Sequence, residues 1–79
     1  MKTAYETELL QSALDGRERE VIEYQVNIDN FRLAIERVGD DEDLQAFKEH
    51  LRNLLYSSLI EHKKASIMLS VVRDRLQEE

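Results

Sequence analysis

"VGDDED", residues 38–43, is the shortest stretch from which the fold of this 79-residue chain can be read. It interrupts two long segments whose apolar residues recur every three or four positions. Gly39 is one of only two glycines, and there is no proline. A glycine at this point takes the left-handed backbone conformation that ends a helix. Asp40 or Asp41 can then cap a second helix, with the next acids near its positive end. A glycine followed by four acids between two periodic segments reads as a tight αα turn.

Working outward from the turn, the upstream seam is Leu10, Leu14, Val21, Tyr24, Ile28, Phe31, Ile35 and Val38, with Arg17 in its only gap. That is a heptad stripe sustained over four repeats. Downstream come Leu44, Phe47, Leu51, Leu54, Leu55, Leu59, Ala65, Leu69, Val72 and Leu76, with a slip near Leu51–Leu55 that resembles a stutter. The chain therefore reads as all-α: one domain over residues 1–79, an antiparallel hairpin of two long helices, roughly 4–38 and 41–77. Folding back at the turn pairs positions whose numbers sum to about 82. Ile35 then faces Phe47, Phe31 faces Leu51, Ile28 faces Leu54 and Leu10 faces Val72. Arg17 falls opposite Ala65, one turn from Glu61, and an Arg17–Glu61 ion pair is expected. Asp15-Gly16-Arg17-Glu18 has the form of a capping box and marks a possible hinge at 15–17. The unbroken heptad phase across it favours one continuous helix.

Composition narrows the class. With 42% apolar and 35% charged residues the chain is too hydrophobic to be disordered. It has no cysteine, which excludes a disulfide framework and cysteine-based metal or redox chemistry, and fits a cytoplasmic protein. No apolar run approaches the roughly 20 residues that span a bilayer, so no membrane partner is expected. The net charge is −6, unevenly placed: residues 1–43 hold twelve acids and five bases, residues 44–76 three acids and six bases. Halves of opposite sign suit two helices that choose each other as partners.

Each helix also carries a second apolar stripe off the seam: Ile22, Val26 and Leu33 on the first, Tyr56, Ile60, Ile67 and Val71 on the second. A lone hairpin leaves these residues in water, and contiguous exposed apolar patches mark interfaces. They are the candidate interface, and a two-fold homodimer forming an antiparallel four-helix bundle is the economical way to cover them.

Chemistry-bearing patterns are sparse. His50 and His62 are the only histidines, and neither follows a glutamate by three positions, so the Glu-x-x-His pattern of diiron bundles is missing. The acidic run Asp40–Asp43 lacks the glycine and glutamate placement of a calcium loop. No catalytic, cofactor-binding or metal-binding residue is assigned. Lys63, Lys64, Arg73 and Arg75 form the only basic region on an acidic chain, which does not favour direct nucleic-acid binding. The expected function is that of a non-catalytic helical interaction module (adaptor, assembly factor or inhibitor) acting on another protein as a homodimeric bundle. One alternative is an acidic inhibitor of a nucleic-acid-handling enzyme by charge mimicry. Another is a small chaperone that holds a partner's helix in its apolar groove.

Overall fold

The first helix starts at Thr3-Ala4-Tyr5-Glu6. The Thr3 hydroxyl oxygen accepts the Glu6 backbone N–H at 3.1 Å, which satisfies a donor that a helix start leaves free. Helix α1 then runs from Ala4 to Val38, and helix α2 from Gln45 to Gln77. The computed structural model describes residues 1–78. Among them there is no strand, and α1 passes without interruption through Asp15, Gly16 and Arg17. The capping-box form at residues 15–18 is unused, because the seam on either side of it holds one continuous phase.

The turn departs in detail from the expected one. Gly39 has a positive φ of 56°, but its ψ is −130°, which is a mirror-image extended conformation rather than the left-handed helical one. These are the angles of the first central residue of a type II′ turn, and the Asp41 N–H closes that turn on the Val38 carbonyl at 3.2 Å. The second helix starts four residues later than expected. Glu42–Leu44 form one 3₁₀ turn, capped by the Asp41 carboxylate accepting from the Asp43 N–H at 3.0 Å. Side chains from the first turn of α2 then cover the loose carbonyls. Lys48 Nζ donates to the Gly39 carbonyl and Gln45 Nε2 to the Asp41 carbonyl, both at 2.7 Å.

The two helices lie side by side in a rod of 61 × 14 × 13 Å. Its core is a single seam. Ile28 of α1 is 2% exposed and is the only residue of that helix fully buried; α2 buries Leu51, Ser58, Ala65, Leu69 and Val72. Positions 51, 58, 65 and 72 keep a strict seven-residue repeat, so the expected slip near Leu51–Leu55 is not a break in the seam. Ser58 holds the place that a search for apolar residues assigned to its neighbours. A small side chain there lets the helices approach closely while Leu54, Leu55 and Leu59 remain half-buried beside it. Leu44 and Phe47, expected in the core, remain exposed next to the turn.

The expected Arg17–Glu61 pair does not form. Arg17 binds Glu20 on its own helix at 3.2 Å, and Glu61 binds Lys64 at 3.0 Å. Partners one turn apart on one helix are already neighbours and need no reach across the seam. Among the described residues the one ion pair between helices is Arg73–Glu18, at 3.7 Å. Val21 and Ile22 share a groove with Leu69 close by. The numbers of the Arg73–Glu18 pair sum to 91, and those of Val21 or Ile22 with Leu69, which line one groove, to 90 or 91, above the 82 expected for facing residues. Helical side chains lean toward their own N-terminus, so tips that meet across an antiparallel pair belong to residues farther from the turn on α2 than on α1.

The two glycines make opposite predictions. A Cβ built on Gly16 meets nothing within 4 Å, so Gly16→Ala stabilises the hairpin by about 0.5–1 kcal/mol through helix propensity alone. Gly39→Ala destabilises it by about 1–3 kcal/mol, because its backbone conformation is one that L side chains rarely adopt. Urea unfolding of both variants, followed by circular dichroism, checks the signs.

Candidate interaction surface

One seam per helix leaves the far side of each helix bare, and the second stripes lie on those far sides. At 100° per residue, Ile22, Leu33 and Val26 stand about 120°, 140° and 160° round α1 from Ile28. By the same measure Tyr56, Ile60, Ile67 and Val71 stand about 140–180° round α2 from Ser58. Six of these seven residues are exposed: Ile22 and Ile67 at 63%, Tyr56 at 67%, and Val26, Leu33 and Val71 near half. Ile60 is half-buried. Met68, which the sequence reading left out, is also exposed and widens the α2 stripe. Its signal was present in the chain, since it stands four residues after Lys64 and three before Val71, on one flank of the stripe.

The two stripes therefore do not form one face. Val26 and Leu33 on α1, and Tyr56, Ile67 and Val71 on α2, lie on opposite edges of the hairpin, while Ile22, the α1 stripe residue nearest the seam, also borders the groove between the helices beside Leu69 and Arg73. Stacking two hairpins broadside into a four-helix bundle needs both stripes on one side, and this geometry does not supply that.

The polar residues around the two edges differ in sign. On the outer side of α1, Glu8, Asp15, Glu23, Asp29 and Glu36 outnumber Arg19 and Arg37. Beside the α2 stripe, Lys63 and Lys64 flank Ile60 and Ile67, and both are exposed. Lys64 pairs with Glu61 of its own helix; Lys63 has no ion pair among the described residues. The acids on the outer side of α1 do not form an unbroken row, since Arg19 and Arg37 stand among them, and Arg17 is held by Glu20 of its own helix.

Concave features are shallow. An open groove of about 410 Å³ is lined by Asp15, Glu18, Arg19, Ile22 and Glu23. A second, of about 260 Å³, runs between the helices at Glu18, Val21, Ile22, Leu69 and Arg73. Both open to solvent and both touch Ile22. Among the described residues, no three His, Cys, Asp or Glu side chains gather so as to hold a metal ion. His50 is exposed and His62 half-buried at the seam's edge. No helix is long and apolar enough to cross a membrane. Comparison with known proteins finds no matching family model, no similar curated protein and no similar solved structure.

The seam and the edges separate in a mutational test. Ile28→Ala removes the one fully buried side chain of α1 and costs about 2–5 kcal/mol of stability. Val26→Ser and Ile67→Ser, at concentrations where the chain is a monomer, change it by less than about 0.5 kcal/mol. Equal losses at the buried and exposed positions, in denaturant unfolding, would mean that the edges belong to the core.

Proposed function

We propose that this protein is a non-catalytic helical interaction module that works as an assembly of its own copies, a homodimer being the smallest, and presents its remaining surface to another protein. The observation that carries this reading is an excess of surface. A monomeric globular protein of 9.3 kDa exposes roughly 5,000 Å². This chain exposes 6051 Å². The difference, on the order of 1,000 Å², is about what one subunit contributes to a small obligate homodimer interface. The radius of gyration agrees: 17.8 Å, against roughly 12 Å for a compact domain of this length.

The excess is not spread over polar surface alone. It includes two contiguous apolar edges, which are costly to leave in water at roughly 25 cal/mol for each Å². A cover made of protein removes that cost, and a second copy is the cover always at hand. The shallow grooves and the absence of any convergent set of nucleophile, base and oxyanion donors among the described residues support binding over catalysis as the role.

Sedimentation at micromolar concentration tests the reading. The wild-type chain is expected to run heavier than 9.3 kDa, and Ile67→Glu combined with Val71→Glu to run as a folded monomer. A wild-type chain that sediments as a clean monomer overturns it.

A further inference from the structure

The opposite placement of the edges raises a question that the proposed self-association leaves open: which edge meets which. We infer that the α1 edge of one copy packs on the α2 edge of a second, antiparallel, so that copies join edge to edge in a row or ring rather than as a two-fold pair. This inference rests on the proposed self-association and specifies its contact.

Spacing supplies the first support. The α1 stripe, Ile22, Val26 and Leu33, steps by four and then seven residues. Read backwards, the α2 stripe Val71, Ile67 and Ile60 steps by the same four and seven. One antiparallel register therefore sets Ile22 against Val71, Val26 against Ile67 and Leu33 against Ile60, each pair of numbers summing to 93. Charge supplies the second. The same register sets Asp29 against Lys64 and Arg19 against Asp74, both opposite in sign, and brings Arg37 to Tyr56, a cation beside an aromatic ring.

The two-fold alternative fails on charge. The α2 stripe can also pair with itself antiparallel, Tyr56 on Val71 and Ile60 on Ile67, with numbers summing to 127. That register sets Lys63 against Lys64, Arg52 against Arg75 and Glu49 against Glu78 of the other copy, three like-charge contacts that include the one at the centre of the stripe. Like-charge juxtaposition is a means of rejecting a wrong partner.

The hairpin's own packing agrees with the edge-to-edge register. Tips that meet within one hairpin sum to 90 or 91 at Glu18–Arg73 and beside Leu69. A sum of 93 between copies differs by two or three residues, an axial shift of only about 3–5 Å at 1.5 Å per residue. Neighbouring hairpins thus sit nearly level, turned the same way. Because each edge points away from the other, a copy displaced sideways without being turned over presents the required edge. A contact between two different surfaces repeats until it closes on itself as a ring, or continues as a filament.

Two single variants test this. Val26→Glu spoils only the α1 edge and Ile67→Glu only the α2 edge; both residues are exposed, and retained helicity by circular dichroism confirms the fold. Each variant alone is expected to sediment as a monomer, and an equimolar mixture as a complex of one copy of each that grows no further. If Val26→Glu still dimerises alone and the mixture gains nothing, the contact is α2 on α2 and the inference is overturned. A wild-type chain that stays monomeric removes the proposed self-association itself, which is a different result. Should either variant lose helicity, the charge pair gives the same answer. Asp29→Lys and Lys64→Glu each weaken association roughly five- to tenfold at low salt, and their mixture recovers it. No recovery in the mixture overturns the register.

Discussion

Two helices packed side by side can shield only one side of each other, and that limit governs the rest of this molecule. A helix of 35 residues and one of 33 meet along a single seam whose fully buried members number six. Every other side chain faces water or the seam's margin. Larger bundles escape the limit because each helix there has two neighbours. A hairpin has one, so any apolar residue placed away from the seam is exposed by construction. Ile22, Val26 and Leu33 on α1, and Tyr56, Ile67 and Val71 on α2, are in that position.

The seam is narrow. Leu51, Ser58, Ala65 and Val72 recur at seven-residue intervals on α2, with the two small members in the middle, and Ile28 is the most deeply buried residue of the seam. Electrostatics contributes little to this packing. Of the five ion pairs among the described residues, three lie within one helix and a fourth joins Arg75 to the C-cap Glu78, all spanning three residues, and the single pair across the seam is more than two-fifths exposed on each side. Pairs so exposed contribute about 0–1 kcal/mol each. At the outer edges acids predominate beside the α1 stripe and two lysines flank the α2 stripe.

Much of this was readable from the residues, and the misreadings have identifiable causes. The turn at Gly39 was visible because only glycine is comfortable at positive φ; that ψ would fall in the extended mirror region was not, because glycine accepts both wells. The helix span of 4–38 was legible from the apolar spacing, and the Asp15-Gly16-Arg17-Glu18 form stays unused, since a capping box is defined by four residues and carries no knowledge of whether a turn of helix already precedes it. Ser58 falls outside any list of apolar seam residues because a hydroxyl scores as polar; Ser57-Ser58 reads from the sequence only as a small pair that allows close helix approach opposite Tyr24, and burial picks out Ser58 of the two. The Arg17–Glu61 pairing assumed that the nearest charge across the seam wins, whereas Glu20 was nearer along the helix.

Periodicity alone determined that the chain is two long helices joined at residues 38–43, and that each helix carries more apolar surface than one partner can cover. Both follow from spacing, which depends on the helix repeat and not on where the helix lies. Only the tertiary structure decided which stripe is buried and in which direction the other one points. A helix with two apolar stripes can rotate about its axis to bury either, and the choice is made by the fit of small and large side chains across the seam. Once Ile28 and Ser58 turn inward, the remaining stripes are carried to opposite edges, and the hairpin acquires two surfaces to be covered instead of one broad face.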